Sequence, residues 1–169
     1  IGIGMNIEQK KSQKNLETLN LENSKLENKL NEIKNEYFKV CSDIIKFMFI
    51  DFFNTSEGNG RVSIYKHQDE NFILLGRYSK NPIYNKRGRE VYSDKEGFIS
   101  KGWENQEFTI FNSPKWIGNG RDYKSFMKNN CFITEETLKK LTMKSCSFFI
   151  LRIENEDARN PLGVIVFEK

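Results

Sequence analysis

The residues able to do chemistry are few and spread out. The 169-residue chain holds three cysteines (Cys41, Cys131, Cys146) and one histidine, His67. An odd cysteine count with no C-x-x-C spacing gives neither a disulfide framework nor a zinc cage, and a single histidine makes a Ser-His-acid triad improbable. Cys131 and Cys146 stand 15 apart; they read as small apolar fillers, with a redox pair bridging a loop to a strand as the sharper alternative. Charge offers more. Residues 77–101 carry seven basic against three acidic side chains, and residues 113–130 four against one. Such runs can attract a phosphorylated or carboxylated metabolite, aided by the N–H groups of a helix start near Asp94 or Arg121; a solvated basic face is the plain alternative. Trp103, Trp116 and Tyr123 could stack on a planar ligand, although Trp103 sits where core packing is expected. The ligand-binding candidates are Arg77, Tyr78, Trp116, Arg121, Tyr123 and Lys144. No catalytic residue or metal ligand is nominated, and the cofactor is unknown. Gly58-Asn59-Gly60-Arg61 recurs as Gly118-Asn119-Gly120-Arg121, but this is good turn chemistry with no Walker or dinucleotide pattern around it.

The elements that must position these residues fall into two parts. No Gly occurs between Met5 and Glu57 and no Pro before Asn81, so nothing interrupts a helix across the first fifty residues. Leu16, Leu19, Asn23, Leu26, Leu30, Ile33, Tyr37, Val40, Ile44 and Phe47 keep strict 3-4 spacing, which predicts a coiled-coil seam. Asn23 at an a position argues for a two-stranded parallel pair, while Glu22 opposite Glu27 and Lys29 opposite Lys34 argue against that orientation. The expected organisation is a stub or the end of an upstream segment over 1–6, a long helix over 7–53 serving as a stalk, and a head over 54–169. Leu16, Leu19, Asn23, Leu26, Leu30 and Ile33 are the expected dimerisation residues.

In the head, Arg61 to Lys66 and Phe72 to Ser79 read as a hairpin whose exposed turn contains His67. A basic loop over Asn81 to Tyr92 follows. Ser93 and Glu96 then fit a capping box opening a helix to about Asn105. Glu107 to Asn112 reads as a strand, Arg121 to Asn129 and Glu135 to Leu141 as short helices with Thr134 capping the second, and Cys146 to Glu154 and Leu162 to Glu168 as closing strands. Phe148 and Ile150 alternate with Phe149, Leu151 and Ile153, and Phe72 and Leu74 with Ile73 and Leu75, so both sheet faces are apolar and both need cover. The stalk end and the 135–141 helix are expected on one face, and the 81–130 segment on the other.

Two blocks resemble a GAF domain of the small bacterial sensor type with an N-terminal coiled-coil helix. One runs from Leu75-Gly76-Arg77-Tyr78-Ser79-Lys80-Asn81-Pro82 through Asp94-Lys95-Glu96-Gly97 to Trp103-Glu104; the other from Leu141 to Phe148 and on to Gly163-Val164-Ile165-Val166-Phe167-Glu168. The resemblance implies an α+β, GAF-like (PAS-like) fold: a central antiparallel sheet of five or six strands flanked by helices, a helical layer holding both termini, and a ligand pocket or its vestige under the opposite lid. No NKFDE-like motif of cyclic-nucleotide-binding members and no Cys-His pair of bilin-binding members is present. Free methionine-(R)-sulfoxide reductases share the fold and cluster cysteines at the pocket, an arrangement the spacing here does not match.

The expectation is therefore a non-enzymatic sensory module. Its head takes a small molecule, anionic in the sharper form, or a protein partner, and its helix forms a homodimer. A dimerising scaffold with a vestigial pocket is the alternative, and a small cysteine-dependent reductase a distant third. The net charge of +4 is divided as −1 over residues 1–60 and +5 over 61–169, too small an excess to call for nucleic acid. Location is expected to be cytoplasmic, with membrane tethering only through sequence upstream of the opening Ile1-Gly2-Ile3-Gly4.

Overall fold

The computed structural model describes residues 2–156 and 160–169, with side chains from residue 6 onward. The expected stub over 1–6 therefore lies largely outside the described side chains. Two compact units emerge, Ile1–Tyr37 and Phe38–Lys169. The first is purely helical, part of α1 (Gly2–Met48). Within it Leu16, Leu19, Leu26, Leu30 and Ile33 are all exposed. Among the described residues, no helix is long and apolar enough to cross a membrane.

The second unit is an α+β domain on one six-stranded antiparallel sheet, the arrangement the GAF resemblance implies. Its strands are β1 (Arg61–Gln68), β2 (Asn71–Ser79), β3 (Val91–Ser93), β4 (Glu107–Ile110), β5 (Phe148–Ile153) and β6 (Gly163–Glu168), ordered β3-β2-β1-β6-β5-β4. The end of α1 and the short α2 (Ile50–Thr55) cover one face. Ile45 and Phe53 pack there with Val62, and Phe49, Phe52, Ile64, Tyr78, Ile165 and Phe167 complete the layer. The contact is close at Gly76, where a Cβ would stand 2.6 Å from Cys41 Cβ.

The other face carries α3 (Gly97–Asn105), α4 (Arg121–Cys131) and α5 (Glu135–Lys140). Phe98, Ile99, Tyr123, Met127, Cys131 and Leu138 meet Tyr65, Phe72, Leu74, Phe148, Ile150, Val164 and Val166 in the larger core. Here an expectation is corrected: α5 lies with α3 and α4, not with α1. Only Phe132, Ile133 and Thr134 join it to α4, and so short a link cannot carry the chain round the sheet edge.

Three local expectations also change. His67 is inside β1, not on the turn; its Nε2 lies 3.0 Å from Asp94 Oδ2 and its ring stacks on Trp103. The basic loop hides a strand, β3, signalled only by Val91-Tyr92. The capping box does not form. Helix α3 opens at Gly97 with Glu96 as an N-cap that makes no side-chain bond, because the Glu96 carboxylate is held by Arg89. Thr134 does cap α5, accepting from the Thr137 N–H.

Strand β2 contains a bulge. Ile64 pairs with Gly76 and Tyr65 with Leu74, leaving Leu75 without a partner on β1. The extra residue reverses the alternation beyond it. Phe72 and Leu74 point to the α3–α5 side, yet so does Arg77, while Tyr78 points to α1 and α2.

Candidate functional site

Between the sheet and α3–α5 lies a cavity of about 80 Å³, large enough to hold water. Its inner walls are apolar: Phe98, Ile99, Met127, Ile133, Met143, Phe148, Ile150 and Val166. Its other end is polar and built by the two central strands. Arg61 and Glu168 are cross-strand partners on β1 and β6, and Arg61 Nε donates to Glu168 Oε2 at 2.6 Å. Both side chains are about nine-tenths buried. Burial alone would lower the Arg61 pKa, but the charge and hydrogen bond of Glu168 more than reverse this and leave it raised. The two terminal amino groups of Arg61 have no hydrogen-bond acceptor among the described residues.

Three tyrosines surround this pair. Tyr65 and Tyr92 meet edge to face at 5.5 Å, and burial pushes the Tyr92 hydroxyl up to about 12. Tyr123 on α4 is fully buried and lines the cavity. Burial first, then the nearby Glu168 charge, raise its pKa, and its hydroxyl has no hydrogen-bond partner among the described residues. At the rim Arg89 grips Glu96 with two bonds of 2.9 and 2.6 Å.

The six candidates named from the sequence are divided by the fold. Tyr123 lines the cavity. Arg77 stands beside it, 4% exposed, with Nε on Ser63 Oγ, Nη1 on the Lys86 and Arg87 carbonyls and Nη2 on Tyr65 Oη. Tyr78 lies on the opposite face against Phe53, put there by the bulge. Trp116 packs edge to face on Tyr123 and over Gly120, where a Cβ would come within 2.6 Å of the indole. Lys144 sits 4.7 Å from the Trp116 ring and donates to the Leu138, Lys139 and Leu141 carbonyls, so it closes the C-terminus of α5. Arg121, exposed at the start of α4, does not line the cavity. Arg61, Glu168, Tyr65 and Tyr92 were missed. Their signal was faint: a charged residue opening one predicted strand and another closing its neighbour.

Neither Cys41, Cys131 nor Cys146 lines the cavity. Cys131 is the last residue of α4, not a loop residue. It is buried, donates to the Met127 carbonyl, and burial pushes its thiol up to about 11. Cys146 precedes β5, and burial raises its pKa too. Among the described residues no group of three His, Cys, Asp or Glu could hold a metal ion.

No protein-family model and no curated protein matches the chain. Solved structures do. The type II free methionine-R-sulfoxide reductase of Thermoplasma acidophilum is 11% identical, with 80% of this chain and 76% of that one covered and a TM-score of 0.47. The GAF domain of a phosphoenolpyruvate-protein phosphotransferase from Coxiella burnetii gives 14%, 83%, 74% and 0.48 in the same order. Its Acinetobacter counterpart gives 15%, 74%, 63% and 0.43.

Proposed function

We propose that this chain is a sensory or regulatory module: the head binds a small molecule in the cavity beneath α3–α5, and the N-terminal helix pairs with that of a second copy. One observation carries the ligand reading. A cavity with apolar walls ends at a buried guanidinium and a buried phenol that retain unused donors, and convergent donors of this kind fix the orientation of a ligand in an otherwise apolar pocket. Thiol chemistry is disfavoured because Cys131 and Cys146 both have raised pKa values and stand outside the cavity.

Thermal-shift measurement with a broad metabolite panel tests the binding. At least one compound should raise the melting temperature of the wild-type chain and lose that effect in Val166→Phe, which fills the cavity. No shift from any compound, in a chain that is still dimeric, would leave a dimerising scaffold with a vestigial pocket. The pairing rests on the 3-4 spacing through Leu16, Leu19, Asn23, Leu26, Leu30 and Ile33 and on their exposure. Sedimentation equilibrium at tens of micromolar should give a dimer, weakened by Leu26→Ala; a wild-type monomer would end that part of the reading.

A further inference from the structure

A second space adjoins the inner cavity at Arg61. Arg61, Arg89 and Tyr92, with Thr137 and Leu141, border the cavity on one side and an outer bay of about 400 Å³ on the other. Arg77, Lys86 and Lys140 form much of the bay's remaining wall, and no carboxylate lines it. The carboxylates that pair with Arg61 and Arg89, Glu168 and Glu96, line the inner cavity instead.

Among the described residues, Arg77, Lys86 and Lys140 have no carboxylate within ion-pair distance. For the two exposed lysines this is ordinary. For Arg77 it is not, because the residue is 4% exposed and the Ser63 and Tyr65 hydroxyls and the Lys86 and Arg87 carbonyls that accept from it are all neutral oxygens. A buried guanidinium without a counter-ion is costly to the fold, and an oxyanion in the bay would complete it. The free amino groups of Arg61 stand where the two compartments meet.

Resting on the reading of the cavity as a ligand site, we propose that its ligand is an amphiphilic anion: a phosphate or carboxylate held in the bay by Arg77, Lys86, Lys140 and Arg61, with a short apolar tail reaching past Tyr92 into the inner cavity. The tail contacts Phe98, Phe148 and Ile150. A space of about 80 Å³ limits it to a short chain or one small ring. A nucleoside fits poorly, since its ribose hydroxyls would lose water against phenylalanine without new partners.

Titration calorimetry on the full chain with four probes, hexyl phosphate, hexanoate, inorganic phosphate and hexan-1-ol, tests this. One of the two amphiphiles should bind at least about tenfold more tightly than both inorganic phosphate and hexanol, and which one wins assigns the head group. Lys86→Gln with Lys140→Gln, both exposed and harmless to folding, should weaken that binding about tenfold, as should salt at about 0.5 M. In Val166→Phe the advantage over inorganic phosphate should vanish. Hexanol binding as tightly as the amphiphiles would overturn the role of the bay and leave the cavity reading intact. Inorganic phosphate binding as tightly would overturn the tail. If neither amphiphile binds but another compound from the metabolite panel does, this proposal fails alone; if nothing binds at all, the cavity reading fails with it.

Discussion

The two faces of the sheet are made by the same strands and packed in opposite ways. On β1, Val62 and Ile64 turn to α1 and α2, whereas Arg61, Ser63, Tyr65 and His67 turn to the helical lid. The α1 side is closed by edge-to-face aromatic contacts: Phe53 with Tyr78 at 4.8 Å, Phe49 with Phe167 at 5.0 Å and Phe52 with Phe167 at 5.4 Å. The lid side gives up part of its packing to a cavity and to buried polar groups. One face is filled by aromatic contacts and the other keeps a cavity and buried charges. Period-two alternation lets a single strand serve both without compromise.

That contrast can be broken by mutation. Phe53→Ala should be the most damaging change, costing about 3–5 kcal/mol in urea denaturation, because a fully buried ring leaves a void on the tightly packed face. If Met127→Ala, beside the existing cavity, cost as much, the two faces would not differ in how they hold the fold. Gly102→Ala tests where the lid side is tight. A Cβ there would collide with the Ile150 side chain, so overpacking should cost about 1–3 kcal/mol; a neutral result would show the lid helix free to shift.

Alkaline titration ranks next. Cys131 keeps its proton to about 11 in the fold against 9.0 for the free thiol, and Tyr92 to about 12 against 10.0. Between these limits the unfolded chain binds fewer protons than the folded one, so stability falls as pH rises from about 9 to about 12. Denaturation at stepped pH should show the decline, and Cys131→Ser should remove its earlier portion. The smallest effect belongs to Tyr123→Phe, expected within about 0.5 kcal/mol of wild type because the lost hydroxyl has no protein partner. A larger loss would place an unseen polar contact on the lid side.

Much of the fold was legible in residue pattern. The helix-forming stretch before Glu57, the aromatic and branched runs of β1, β2, β5 and β6, and the Thr134 cap are local signals, and local signals survive folding, although the single helix expected over 7–53 is two, α1 to Met48 and α2 from Ile50, broken at Phe49. The site was less legible because it depends on pairing. Arg61 and Glu168 are 107 residues apart in sequence, and nothing in either neighbourhood announces the other. Arg77 could be named, but not that the fold buries it without a carboxylate, which depends on Ser63, Tyr65 and the Lys86 and Arg87 carbonyls meeting it from other parts of the chain. Tyr78 was a ligand-binding candidate, and the bulge at Leu75 turns it instead to Phe53; no Gly or Pro at that position flags the bulge. Lys144 was picked for its charge, and the charge is used on helix carbonyls.

The unpaired Leu75 acts on β2 as a frameshift acts on a message. Everything downstream of it is read on the opposite side of the sheet from the one strict alternation would give. Deletion of Leu75 would close the ladder without turning a side chain over, because Leu74 and Gly76 already pair with consecutive β1 residues, Tyr65 and Ile64. Arg77 would stay on the lid side and Tyr78 against Phe53. The residue is spare in length and decisive only in how the strand is read: a descendant that lost its codon would keep both faces as they are.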